Sequence, residues 1–256
     1  FGLEQIKAIG FDTADIFTDP LDIDSAERRL IQTTCAELRL PIKSICCVAV
    51  GLIDFNPSVQ RFHVQRCRAY LDLCREYGAD NLLLVLGEYI WQQEVIPPAE
   101  QWRTGVQNVQ ELGRHARDLG VQIALELEPF KLSMINTVDT MLRFIEDVGM
   151  PQTVVANCDI SHLYLMGIGP EQIPRLKDVL GHVHLSDCNG KVHGDLPPGR
   201  GVVPIIRYLE QLRDIGYNRV VSIELEYSPE PDRIVDWVRE AYETTNRMMQ
   251  LLDCRG

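Results

Sequence analysis

Seven short apolar runs recur along this chain, separated by amphipathic helical stretches, and four of them end in acids or histidines. Helices are expected over about 3–9, 26–38, 59–77, 99–119, 137–148, 171–179, 204–215 and 231–252. Strands are expected over about 12–17, 42–50, 81–87, 121–127, 153–158, 182–186 and 219–225. Strands that alternate with helices pair in parallel through right-handed crossovers. The run Asn81-Leu-Leu-Leu-Val-Leu-Gly87 is apolar on both faces, as a strand covered on both sides must be. Asp24 or Ser25 can cap the second helix, and Gly78 and Gly120 supply stops for the third and fourth. The expected fold is therefore one TIM (β/α)8 barrel over residues 1–256, its first strand absent or reduced to a stub before Phe1. A doubly wound open sheet is the alternative. Against it, no G-x-G-x-x-G or G-x-x-x-x-G-K loop follows any strand.

The balance of 37 acids against 25 bases gives a net charge of −12, which disfavours nucleic acid and anionic membranes as partners. No apolar run approaches the roughly 18 residues of a membrane span, and no charged-then-apolar leader opens the sequence. The eight cysteines fall mostly inside expected elements and form no C-x-x-C pair, so reduced thiols and a cytoplasmic location are expected. The last helix mixes Trp237, Val238, Tyr242, Met248 and Met249 with charges, so it can pack on the barrel or on a partner in a homo- or hetero-oligomer.

Chemistry concentrates at the strand ends. Ala-Leu-Glu126-Leu-Glu128-Pro and Ser-Ile-Glu224-Leu-Glu226-Tyr each place two acids on one face, because residues two apart on a strand point the same way. Asp159 closes a third strand, and His182 and His184 share a face of a fourth. A row of acids is costly against an apolar helix layer, so these faces should point into the barrel. The groups then converge near its axis, at the mouth where such barrels work. Three carboxylates and one imidazole suit one divalent cation, Mn, Co, Mg or Zn, with Mn favoured. Glu126, Asp159, His184 and Glu224 are the expected ligands, although either Glu of each pair can serve. The competing reading is a cation-free, solvated carboxylate cluster. Glu128 and Glu226 lie nearer the mouth, and His182 is expected to pack beneath the site. Asp187 can orient a ligand imidazole or bind a sugar hydroxyl. Trp91, in the long loop 87–98, can stack on a sugar face.

The runs IALELEP, CDISHL, GHVHLSD, PPGRG and VVSIELE, in this order, resemble the sugar phosphate isomerase/epimerase family, which has the xylose-isomerase-like barrel and includes inosose isomerases and ketose 3-epimerases. The likeness runs from about residue 60 onward. It implies a divalent metal held by Glu126, Asp159, His184 and Glu224. It also implies that His162 of the D-x-x-H motif contacts substrate oxygens, and that His193 or Arg200, around P-G-x-G, reaches the substrate. Glu126 and Glu224 then become the catalytic acid–base pair of an isomerase or epimerase acting on a keto sugar or cyclitol through an enediolate. A lyase or dehydratase that cleaves 3-keto glycosides or C-glycosides on the same barrel is the alternative. A non-catalytic subunit and an abasic-site endonuclease are weaker ones, the latter opposed by six histidines and the acidic charge. With no Arg/Lys cluster or glycine-rich helix start to hold a phosphate, an unphosphorylated sugar, cyclitol or glycoside is expected.

Overall fold

The computed structural model describes residues 1–86, 94–226 and 228–255. Its strands are β1 (Ala14–Phe17), β2 (Ile42–Val48), β3 (Asn81–Val85), β4 (Gln122–Leu125), β5 (Val154–Asp159), β6 (Leu180–Leu185) and β7 (Ser222–Ile223). All are parallel and lie side by side in sequence order, so the sheet curls into a nearly closed barrel. The α-helices are α1 (Gly2–Ile9), α2 (Ser25–Leu38), α3 (Pro57–Tyr77), α4 (Pro98–Leu119), α5 (Val138–Val148), α6 (Ile160–Leu165), α7 (Ile205–Asp214) and α8 (Ile234–Leu251).

Local chemistry sets these boundaries. Asp24 caps α2, accepting from the N–H groups of Ala26 and Glu27, while the Glu27 carboxylate accepts the N–H of Asp24 in return. Asn56 and Pro57 start α3, and Gly78 ends it at φ 69°. The helix expected over 171–179 is instead a 3-10 turn, Pro170–Leu176, because Pro174 cannot donate within it. An unanticipated short helix, α6, starts directly at the end of β5. The last strand is shorter than expected because β7 bonds only to β6 among the described residues. A groove lined by Asp15, Ile16, Ser222 and Ile223 separates β7 from β1.

Two apolar clusters divide the strands by face. Outward residues such as Ile45, Leu84, Ile123, Leu125 and Val183 join Cys67, Leu112, Ala116 and Phe144 of the helices in the main core. Leu83, Ala124 and Val155, with Cys46 against them, form a small second cluster inside the barrel. Glu126 lies two residues beyond Ala124, and Asn157 and Asp159 lie two and four beyond Val155, so all three point inward above this floor. The helices and strands hold free cysteines, with Cys47 and Cys67 Sγ atoms 3.9 Å apart. No helix among the described residues is long and apolar enough to cross a membrane.

Ala124 is fully buried in the floor against Leu83 and Val155. Ala124→Leu should therefore cost about 1–3 kcal/mol by overpacking, read as a lower urea midpoint at unchanged m.

Candidate active site

Each strand end delivers its side chain through ladder bonds that continue past the strand. The Glu126 N–H donates to Leu84 O at 3.0 Å, and the Glu224 N–H donates to Leu185 O at 3.1 Å. Register pairs Asp159 with His184, and His184 with Ser222. The four expected ligands are thereby brought together. His184 Nδ1 lies 2.8 Å from Glu224 Oε2 and 3.7 Å from Glu126 Oε2. Donor atoms of Asp159, His184 and Glu224 all fall within 4.8 Å of one another, and so do those of Glu126, Asp159 and His162.

The D-x-x-H spacing has a local cause. Asp159 is the N-cap of α6, and its Oδ1 accepts the His162 N–H at 2.8 Å. His162 is thus locked one turn above the acid, with its Nδ1 donating to Leu127 O at 2.7 Å. Its Nε2 faces His193 Nδ1 at 3.2 Å, and His193 Nε2 faces Glu226 Oε2 at 3.3 Å. Asp187 and Leu196 exchange two backbone hydrogen bonds, which fold the loop after β6 back so that His193 reaches the mouth. Glu128, Phe130 and Glu226 line the same cleft, with Phe17, Val48 and Val85 on the facing wall.

Burial and charge oppose each other here. Burial lowers the affinity of the His184 imidazole for a proton, but Glu224, Glu126 and Asp15 outweigh it and lift the pKa to about 10. His162 is likewise held well above its ordinary value by Asp159, Glu126 and Glu128 despite burial. Burial and the neighbouring Asp159 push Asp195 up to about 7.

Two expected substrate contacts are placed elsewhere. Asp187 is 1 % exposed, and each of its oxygens takes two backbone N–H groups: Cys188 and Val203 on Oδ1, Gly199 and Gly201 on Oδ2. Its carboxylate fastens the loop and leaves no acceptor for a sugar hydroxyl. This also explains the P-G-x-G glycines: Gly199 has φ +94°, and a Cβ on Gly201 would sit 2.2 Å from Asp187 Oδ1. Arg200 turns outward, where its guanidinium pairs with both Glu240 oxygens and stacks 4.4 Å over Trp237. Trp91 lies outside the described residues. His182 is buried, 1 % exposed, beside Asp15 and His184.

Three contributors escape a reading of the sequence. Asn157 donates to Glu126 Oε2 at 2.6 Å. Asp195 is buried, accepts from Ser186 and Ser161, and lies 3.7 Å from His193. Asp15 on β1 accepts from His182 Nε2 at 2.8 Å. For Asn157 the signal was available: it shares a strand face with Asp159.

The profile of the family described as the Xylose isomerase-like TIM barrel matches residues 3–247. The chain belongs to this family. It is 28% identical over 234 residues to the D-psicose 3-epimerase of Ruminiclostridium cellulolyticum, covering 87% of this chain and 76% of the relative. It is 25% identical over 214 residues to the inosose isomerase of Bacillus velezensis, covering 78% and 74%. Among solved structures, a 3-keto-D-glucoside 4-epimerase from E. coli superposes with a TM-score of 0.83 at 20% identity, covering 96% of this chain and 92% of that one. The chain is an enzyme whose homologues are sugar epimerases and isomerases.

The two displaced contacts separate in a stability test. Asp187→Ala strands four backbone donors and should cost about 3 kcal/mol or more. Arg200→Ala removes a partly exposed pair and should cost about 1 kcal/mol or less. Urea unfolding of both variants measures the difference.

Proposed function

We propose that this enzyme is a divalent-cation-dependent isomerase or epimerase of an unphosphorylated keto sugar, cyclitol or glycoside. The observation that carries this reading is the cradle itself. Glu126 Oε1 and Asp159 Oδ2 are buried there and accept no hydrogen bond among the described residues. A buried carboxylate oxygen without a donor is costly unless a cation takes the donor's place. Glu126, Asp159, Glu224 and His184 Nδ1 offer an oxygen-rich set with one nitrogen, which supports one divalent ion, Mn, Co, Mg or Zn, with Mn favoured. Bound there, the cation would supply Lewis acidity to a hydroxy-ketone and make the C–H beside its carbonyl easier to ionise.

The chain's own groups would manage the protons. Glu126 and Glu224 come from β4 and β7, three staves apart, so they can address a substrate from two sides. One takes a proton from the carbon next to the carbonyl while the other returns one to the opposite face, which inverts that carbon. Return to the adjacent carbon instead gives aldose–ketose isomerisation. His162 and His193 sit where substrate hydroxyls would enter, and their raised proton affinity makes them donors. Phe17, Val48 and Val85 give the cleft an apolar facing wall, against which a sugar's C–H face would pack. No Lys or Arg lines this cleft among the described residues, which supports an unphosphorylated substrate. The relatives' activities on D-psicose and inosose point to the same substrate class. Eight free thiols fit a reducing compartment such as the cytoplasm.

The test is a Mn-loaded assay in deuterium oxide with ketoses, inososes and 3-keto glycosides. Deuterium should appear at the carbon beside the carbonyl, and Glu224→Gln should lower exchange at least about 100-fold. Exchange that survives metal stripping, or that runs at the wild-type rate in Glu224→Gln, overturns the reading. Release of an aglycone or a hydroxyl would assign elimination instead of isomerisation.

A further inference from the structure

Below the cradle lies a buried polar chain that crosses the barrel interior. Ser44 Oγ donates to Asn81 Oδ1 at 2.7 Å, and Asn81 Nδ2 faces His182 Nδ1 at 3.5 Å. His182 Nε2 lies 2.8 Å from Asp15 Oδ2, and His184 Nε2 approaches the same oxygen at 3.9 Å. Ser44, Asn81 and His182 are each 1 % exposed or less, and Asp15 is 13 % exposed.

The chain has one proton polarity. The Asn81 oxygen already receives the Ser44 hydroxyl, so its nitrogen is what meets His182. An amide nitrogen only donates, which makes His182 Nδ1 the acceptor and leaves the ring proton on Nε2, facing Asp15. His184 presents the same choice. Without a cation its Nδ1 donates to Glu224 Oε2 at 2.8 Å and lies 3.7 Å from Glu126, while its Nε2 lies 3.9 Å from Asp15. A neutral imidazole can offer Nδ1 to a cation only if Nε2 carries the hydrogen, and that hydrogen needs an acceptor. Asp15 Oδ2 takes the His182 hydrogen with one lone pair and keeps a second, so the carboxylate has capacity for it. Closing the 3.9 Å gap to hydrogen-bond length takes about 1 Å.

We propose that Asp15 is a positioning residue: through the Ser44–Asn81–His182 chain it is held where it fixes the Nε2–H tautomer of His184, so that Nδ1 faces the cradle. The assignment rests on the reading above that the cradle holds a divalent cation. It predicts that a residue on β1, which touches none of the four expected ligand atoms except through His184 Nε2, controls cation affinity.

The test compares Mn binding to wild type and Asp15→Asn by calorimetry and by the electron-spin signal of free Mn. Asp15→Asn should bind one Mn about 10–100-fold more weakly, while the stripped protein keeps its thermal unfolding transition. A tautomer measurement needs no variant: nitrogen-15 imidazole spectra of the Mg-loaded wild type should show His184 protonated at Nε2. Equal Mn affinity in folded Asp15→Asn, or a proton on Nδ1, overturns the assignment alone. Loss of a second bound Mn in Asp15→Asn also overturns it and makes Asp15, His182 and His184 a cation site of their own. A wild type that binds no Mn overturns the cation reading and this assignment with it.

Discussion

Strand alternation inside a parallel barrel is the constraint from which the site follows. A side chain on such a strand faces either the helix layer or the axis, and a position two residues on repeats the choice. Leu83, Ala124 and Val155 fill the axis at mid-height. Inward positions beyond them on β4 to β7 lie clear of that floor and can carry chemistry. Glu126, Asn157, Asp159 and Glu224 occupy that level or lie just above it, with His184 among them. The scaffold therefore makes no special provision for the cluster. It needs only that the small-residue floor stay small and that the strands stay in register.

Concentrating acids this way creates an electrostatic load that the protein offsets with buried imidazoles. His162 and His184 interleave with Glu126, Asp159 and Glu224, and their raised proton affinity is the measure of that field. Protons would compete with any divalent cation for the same lone pairs. Asn157 adds a neutral donor to Glu126, which holds one carboxylate oxygen and leaves the other facing inward.

What the sequence made legible is whatever depends on local period. The seven strands, the cap at Asp24, the stop at Gly78 and the inward run of Glu126 all follow from spacing two or spacing 3.6. Asp187 and Arg200 were misplaced because a loop acid beside glycines reads alike whether it binds a ligand or its own backbone. Only the four converging N–H groups separate the two. Asp15 was illegible for another reason: its partner His182 is 167 positions away, and no local pattern couples an acid on β1 to an imidazole on β6.

The interior is also divided by hemisphere, and that division bears on what can enter. Above the floor, β4 to β7 face the axis with acids, amides and imidazoles, whereas β2 and β3 face it with Val48 and Val85. Phe17 extends the apolar side from β1, and Phe130 adds a ring beside His193, 6.1 Å between centroids. A polyhydroxylated ring has the same duality, with hydroxyls around its edge and C–H groups on its faces. Seated with its oxygens toward β4–β7, such a ring would turn a C–H face to the apolar wall and displace water from it. Apolar surroundings strengthen the fields of the carboxylates they adjoin. Above the floor, the apolar wall from β1 to β3 thus complements the acidic half, while Asp15, Ser44 and Asn81 of the same strands stay polar below.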